Sequence, residues 1–155
     1  MVEDLNKQID EYLAGEEFEG CADLVKLGRK AVPRLTEIVA NDADPARRKR
    51  AAIALGRMRA LEGVSALTKV LSDKDPTVAV SAIQALEAMR QKGVTKDIVA
   101  CLKASDPSVR RSAAKALGRL GAKDATCALA DLCEHDEFEF VRNAGIEALA
   151  QIDRS

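Results

Sequence analysis

The sequence contains no tryptophan, and aromatic residues make up only 3% of its 155 residues. Four prolines and nine glycines are too few for a disordered or glycine-rich protein. No run of about 18 apolar residues occurs, so no membrane-spanning helix is expected, and the acidic N-terminal segment has no apolar signal-peptide core. Alanine, leucine, valine and isoleucine dominate the 47% apolar fraction. We therefore expect one all-helical domain in a monomeric, cytoplasmic protein.

Residues that usually carry chemistry are also scarce. The four cysteines, Cys21, Cys101, Cys127 and Cys133, form no Cys-x-x-Cys pair, and each lies in an apolar helical pattern that favours a small buried side chain. The single histidine, His135, is expected in a loop between two helices, with no nucleophile placed by spacing. Phosphate-binding glycine motifs and the nucleophile elbow are missing as well. We predict no enzymatic activity, no catalytic residue, no metal site and no cofactor.

An internal repeat of 31 residues dominates the sequence. Asp-Pro pairs recur at 44–45, 75–76 and 106–107, and their segments align without gaps: DPARRKRAAIALGRM, DPTVAVSAIQALEAM and DPSVRRSAAKALGRL. A fourth copy, FEFVRNAGIEALAQI, follows with one extra loop residue, and a degenerate copy, EFEGCADLVKL, lies upstream. Aspartate is a good N-cap and proline suits the first helical position, so each pair should begin a helix. These helices should end at Arg59-Ala60, Gly93 and Gly121.

A shorter amphipathic stretch links each copy to the next, in AVPRLTEIVAND, GVSALTKVLSD, VTKDIVACLKAS and DATCALADLCEH. Each unit is thus predicted to be a helical hairpin, and no segment shows the two-residue period of a strand. Because one hairpin cannot bury its own apolar stripe, hairpins should stack. We predict an all-α, right-handed α-solenoid of about 4.5 hairpins. Its expected parts are an N-terminal capping helix at 1–16, repeat units at 17–44, 45–75, 76–106 and 107–137, and a C-terminal capping helix at 138–155.

The segment DPSVRRSAAKALGRLGAKDATCALADLCE resembles the short HEAT-like repeat named after the phycobilisome lyases, and the likeness extends over about residues 17–152. The resemblance implies that the Asp-Pro helix is the second of each pair and lines the concave face. It also implies that Arg48, Arg110 and Arg142 pair with a repeat aspartate along the stack, with an interruption at Ala79. Some HEAT-repeat hydroxylases bind two irons through several histidine–glutamate pairs, which a sequence with one histidine cannot supply.

Positions of the Asp-Pro helices that packing does not need should face a groove on the concave side, and we predict that they bind a partner. They are Lys49, Arg50, Ile53 and Arg57, then Val80, Ser81, Gln84 and Ala88, then Arg111, Ser112, Lys115 and Arg119, and finally Asn143, Ala144, Glu147 and Gln151.

The charges fall into three blocks. Residues 1–23 carry eight acids and one lysine, residues 24–130 carry 21 basic and ten acidic residues, and residues 131–155 carry seven acids and two arginines. Two interpretations are open: solvated faces with stabilising Asp–Arg pairs, or a basic groove for an acidic partner. An acidic protein segment is favoured over nucleic acid because the basic helices lack stacking aromatics and the acidic ends would repel phosphates.

The expected function is that of a protein-interaction module or scaffold which binds a partner protein on its concave face. A bilin lyase, or a subunit of one, is an alternative that rests on the type of repeat alone. Nucleic-acid binding through the basic groove is a further alternative.

Overall fold

The computed structural model describes residues 1–15 and 17–155, without the side chains of residues 17–21 and 92. The α-helices are α1 (Val2–Ala14), α2 (Glu17–Leu27), α3 (Val32–Asn41), α4 (Pro45–Met58), α5 (Val64–Lys69), α6 (Pro76–Met89), α7 (Thr95–Ala100), α8 (Pro107–Leu120), α9 (Thr126–His135) and α10 (Glu139–Asp153). Short 3-10 turns flank the shorter helices, and the described residues include no strand. Within this part of the chain, no helix has the length and apolarity to cross a membrane. The predicted all-α repeat solenoid is confirmed.

Each Asp-Pro pair begins a helix, as its chemistry predicts. Asp44, Asp75 and Asp106 adopt an extended backbone, and their carboxylates accept the backbone N–H two residues further on at 2.9, 2.8 and 2.8 Å. The proline that follows occupies the first helical position, where its missing N–H leaves no hydrogen bond unmade. The sequence therefore determines where α4, α6 and α8 start.

The C-terminal ends of these helices need a left-handed backbone. Gly121 provides it after α8 with a φ of 62°, but α4 and α6 place arginines there, Arg59 at 48° and Arg90 at 52°. This conformation is unfavourable for residues with a Cβ atom. The predicted end of α6 at Gly93 is wrong, because the helix stops at Met89 and Arg90 forms the cap.

The helices form two layers. The long helices α4, α6, α8 and α10 lie side by side, each in direct contact with the next. The helices α3, α5, α7 and α9 cover this layer on one side and contact each other much less. We call the outer face of the long helices, which the resemblance predicts to be concave, the concave face.

A regular apolar stripe forms the core between the layers. Leu55, Leu86 and Leu117, which are each 31 residues apart, are fully buried. Buried alanines on the same helices allow the neighbouring backbones to approach. The repeat period therefore places one leucine of each unit in a continuous core.

Two glycines mark close contacts between long helices. A Cβ atom on Gly56 would lie 2.7 Å from the Cα atom of Ala85, and one on Gly118 would lie 2.7 Å from the Cα atom of Ala148. At the equivalent position of α6 stands Glu87, so the α6–α8 pair lacks this contact. The packing of α6 on α8 therefore differs from that of α4 on α6 and of α8 on α10.

Helices at the two ends close the described stack. In α1, Ile9 and Leu13 are fully buried and Leu5 and Tyr12 pack partly against the core, which is the apolar face that the sequence shows. At the other end α10 packs on α8 and α9 and buries Ile152.

Candidate partner-binding site

Two arginines of the long helices form ion pairs that join successive repeats. Arg48 donates from Nε and Nη2 to Asp73 at 2.9 and 2.8 Å, and Arg110 donates to Asp136 at 2.6 and 3.1 Å. In both cases Nη1 donates to two backbone carbonyls of the loop before the arginine's own helix. The predicted pairing is confirmed for these two residues, which therefore stabilise the stack.

The same bonds keep the aspartates ionised. Burial acts to raise the pKa of Asp73, yet hydrogen bonds from Arg48 and from the backbone N–H of Asp75 hold that pKa below its ordinary value. Hydrogen bonds from Arg110 lower the pKa of Asp136 despite its burial.

Arg142 retains only the backbone part of this pattern. It donates to the carbonyls of Asp136 and Glu137 at 2.6 and 3.1 Å. The carboxylate pairing predicted for it is therefore wrong within the described chain.

Further basic residues near the N-terminal end are also engaged in the fold. Arg47 donates to Asp10 of α1 at 2.5 Å, and Asp10 also accepts from Arg34 at 3.3 Å. Arg50 donates to the carbonyl of Leu13 at the end of α1. Much of the positive charge of α4 is thus used to hold the N-terminal helix and the next repeat.

Most of the predicted groove residues lie on the concave face at or near the surface. Arg57, Gln84, Arg111, Arg119, Asn143, Glu147 and Gln151 are exposed, whereas Lys49, Arg50, Ile53, Val80, Ala88, Ser112 and Lys115 are half-buried. Ser81 is a correction, because it is only 4% exposed and donates to the carbonyl of Thr77 at 2.9 Å. Ala144 is likewise buried. Both small side chains fit between packed helices, so they do not offer a contact surface.

A concave cavity of about 350 Å³ between α6 and α8 reaches the start of α10. It brings together Val80, Gln84, Arg111, Ser112, Lys115 and Arg119 of the predicted set and adds Glu87, Ser108 and Phe140. Arg119 donates to Glu87 at 3.2 Å, so Arg111 and Lys115 provide most of the net positive charge here. The predicted residues of α4 and α10 lie outside this cavity.

Two phenylalanines at the start of α10 were missed at the sequence level, and one of them, Phe140, lines this cavity. Phe138 and Phe140 are 38% and 45% exposed, with ring centres 5.6 Å apart. The guanidinium of Arg110 lies 5.8 Å from the Phe138 ring centre, and that of Arg111 lies 5.9 Å from the Phe140 ring centre. Aromatic and arginine side chains together are typical of protein-binding hot spots.

The repeat alignment contains the signal that reveals this pair. Phe138 stands where Asp106 caps α8, and Phe140 stands where Ser108 also hydrogen bonds to that cap. Phe138 makes no side-chain capping bond. A capping pair is therefore replaced by two exposed aromatics.

The cysteines with described side chains and the histidine do not line the concave cavity. Cys101 is buried, which raises its pKa to about 11. Cys133 is half-buried and Cys127 is exposed, so a buried thiol was wrongly predicted for Cys127, and Cys21 lies outside the described side chains. His135 is the last residue of α9 rather than a loop residue. Among the described residues, no three histidine, cysteine, aspartate or glutamate side chains are placed to hold a metal ion.

These features define an all-α repeat solenoid with a candidate binding surface on its concave face. Residues 32–104 and 64–150 match the family model of HEAT repeats. The two matches cover most of the chain, which belongs to the HEAT-repeat family. A search of curated protein sequences finds no match.

Several solved structures are similar to this fold. In the complex of CpcE and CpcF of phycocyanin lyase from Nostoc sp. PCC7120, the matching chain is 18% identical with a TM-score of 0.76, over 90% of this chain and 96% of that one. Human deoxyhypusine hydroxylase in complex with glycerol is 24% identical with a TM-score of 0.70, over 80% of this chain but only 44% of the hydroxylase. An engineered protein is 22% identical with a TM-score of 0.62, over 95% and 71% of the two chains. At these identities the likeness shows the fold alone.

Proposed function

We propose that this protein is an interaction module that binds an acidic segment of a partner protein on its concave face, between α6, α8 and the start of α10. The cavity lined by Arg111, Lys115 and Phe140 carries this proposal. Carboxylates of the segment pair with the two basic side chains, and an apolar side chain of the segment packs on Phe140 and Val80. Burial of such an apolar anchor beside charged groups supplies both affinity and orientation.

The packing of the module supports a rigid, preformed binding surface. The Arg48–Asp73 and Arg110–Asp136 pairs hold the repeats on either side of the groove, and the buried Leu86 and Leu117 pack the two helices of the groove itself, so the groove is formed before the partner arrives. A preformed surface loses little conformational entropy on binding.

The distribution of the remaining charge favours a protein partner over nucleic acid. Arg47, Arg48 and Arg110 are paired with carboxylates of the chain itself, so these three arginines do not extend the groove into a continuous row of cations for phosphates. Nucleic-acid affinity grows with the number of phosphates that are neutralised. The basic groove is therefore better suited to a short acidic peptide segment.

A charge-reversal comparison tests the proposal. The groove variant is Arg111→Glu with Lys115→Glu, and the matched control is Lys96→Glu with Lys123→Glu, which changes two exposed lysines outside the concave layer by the same charge. In quantitative pull-downs from nuclease-treated source cells, we expect a set of proteins that the wild type and the control retain and the groove variant loses. Circular dichroism melting checks that all three chains fold. Equal recovery by all three would contradict the proposal, and recovery that occurs only in a parallel sample without nuclease would indicate nucleic acid.

A subunit of a bilin lyase is a second candidate, favoured by the likeness to a chain of the CpcE–CpcF complex over 96% of its length. Adding a bilin to the purified chain separates the two functions. A visible absorption band that shifts and co-elutes with the protein favours the lyase subunit, whereas an unchanged spectrum favours the interaction module.

A further inference from the structure

The ladder of arginine–aspartate pairs is interrupted at the junction of α6 and α8. Ala79 stands in register with Arg48 and Arg110, the arginines of the neighbouring pairs. Ala104 stands in register with Asp73 and Asp136, the aspartates that those arginines bind. Both partners of one pair are thus replaced by alanine together, so neither leaves an unpaired charge.

A cavity of about 740 Å³ lies at this junction. Both alanines line it, and its other walls are formed by the loops before α6 and α8 and by α7. Leu71, Pro76 and Val109 give it an apolar surface, and three aspartates and two lysines line it: Asp73, Asp97, Asp106, Lys74 and Lys103. It shares no lining residue with the concave cavity.

The neighbouring pairs show which chemical group fits this place. Arg110 donates from Nη1 to the carbonyls six and five residues before it, at 2.9 and 3.0 Å. By the register of the repeat, the equivalent carbonyls at the interrupted junction belong to Asp73 and Lys74, and Ala79 offers them no donor. A planar guanidinium can bond two such acceptors at once, while its aliphatic stem lies along apolar side chains.

We propose that this cavity receives an arginine side chain of a partner protein, which completes the interrupted pair from outside the chain. The guanidinium donates to the carbonyls of Asp73 and Lys74 and lies near the carboxylates of Asp97 and Asp106. The stem packs on Leu71 and Val109. Cys101 also lines the cavity, but its raised pKa of about 11 keeps it a neutral thiol at pH 7 and leaves the site to binding alone.

A titration followed by amide chemical shifts tests the site without knowledge of the partner. The probe is N-acetylarginine methylamide, and the control is the citrulline analogue, which has the same shape but no charge. We expect saturable shifts at residues 73–74, 79 and 104–105, with an affinity at least about tenfold weaker for the citrulline analogue, because a charged donor bonds more strongly. Absence of these shifts, or equal affinity for both probes, would overturn the proposal.

Two variants test where on the protein the probe binds. Ala79→Arg fills the cavity with the chain's own guanidinium and should abolish the shifts, whereas Arg111→Glu with Lys115→Glu should retain them. If Ala79→Arg does not fold, Ala104→Leu blocks the same cavity and should have the same effect. Shifts that persist in a folded blocking variant would show that the probe binds elsewhere and refute the assignment. Loss of the shifts in the groove variant would instead place the probe on the concave face.

Discussion

Asp106 and Ser108 form the cap of α8, and the equivalent residues of α10 are Phe138 and Phe140. Loss of an N-cap side chain costs about 1 kcal/mol of stability. The two rings are also exposed to water, where their contacts with arginine add little to the stability of the fold. Departures from local rules that bring the fold no benefit are concentrated at functional sites. We therefore propose that these two residues at the start of α10 contact the partner.

Restoring the cap should separate stability from binding. Phe138→Asp with Phe140→Ser should raise the free energy of unfolding by about 1 kcal/mol, because the α10 N-terminus regains its hydrogen bonds. Partner recovery in the pull-down should fall, because the aromatic contact is lost. Urea denaturation followed by circular dichroism measures the first effect.

The reciprocal variant is the control for this experiment. Asp75→Phe with Thr77→Phe removes a cap from α6, away from the concave cavity, and should lower stability by about 1 kcal/mol with partner recovery unchanged. A less stable cap-restored variant, or one with full partner recovery, would disprove the role given to the two phenylalanines.

At the scale of the helices, the spacing of α4, α6, α8 and α10 depends on Gly56 and Gly118. Alanine in place of glycine stabilises an ordinary helix interior by about 1 kcal/mol. Here the added Cβ would lie 2.7 Å from a backbone Cα atom of the next helix, which cannot move as a flexible side chain can. The steric effect should therefore exceed the gain in helix propensity.

Gly56→Ala and Gly118→Ala are accordingly expected to lower the free energy of unfolding by about 1–3 kcal/mol. Glu87→Ala, at the equivalent position of α6, is the matched control and should change stability by about 1 kcal/mol or less, since it loses only a surface pair with Arg119. Denaturant titration measures all three. Stabilised glycine variants would show that the helices are not in contact at these points.

The arginine–aspartate ladder makes stability depend on pH in a defined direction. The carboxyl groups of Asp73 and Asp136 have lowered pKa values in the folded protein, so the unfolded chain binds more protons in acid. The free energy of unfolding should be nearly constant from neutral pH to about 5 and should fall as the pH drops below about 4, the ordinary range for aspartate. Denaturant titrations at neutral and acidic pH check this.

An Asp136→Asn variant isolates the contribution of one pair. It should be less stable at neutral pH, because Arg110 loses a charged partner, and should lose less stability between neutral and acidic pH than the wild type. An unchanged acid dependence would mean that this aspartate does not hold its charge through Arg110.

At the scale of the whole molecule, the architecture could be predicted from the sequence because local sequence signals define each repeat. The Asp-Pro caps determine the starts of α4, α6 and α8, and the leucines 31 residues apart determine the core. The α5 and α7 segments were expected as longer stretches but contain only six α-helical residues each, followed by a 3-10 turn. An amphipathic pattern of eleven or twelve residues does not distinguish an α-helical turn from a 3-10 turn.

The candidate site was only partly predictable, since a side chain's direction depends on its neighbours in space. The register placed Arg111 and Lys115 on the surface, but it also placed Ser81 there, which packing buries. Arg47 and Arg34 also share an ion-pair partner in α1, Asp10, which is far away in sequence.

The irregular features of the molecule gather at one junction. Between α6 and α8 the repeat lacks the ion pair, at Ala79 and Ala104, and the close helix contact, at Glu87. Both cavities lie at this junction. Regular units on either side hold the stack together, and both binding sites that we propose lie at this irregular junction.

Site-specific photocrosslinking tests the central claim most directly. Benzoylphenylalanine is incorporated at position 140, or at position 61 as an exposed control in the turn between α4 and α5. In source cells, we predict a discrete crosslinked protein from position 140, absent from position 61 and lost when Arg111→Glu and Lys115→Glu are added. The Lys96→Glu with Lys123→Glu control should retain it. The same crosslink from both positions, or its survival in the groove variant, would contradict binding on the concave face.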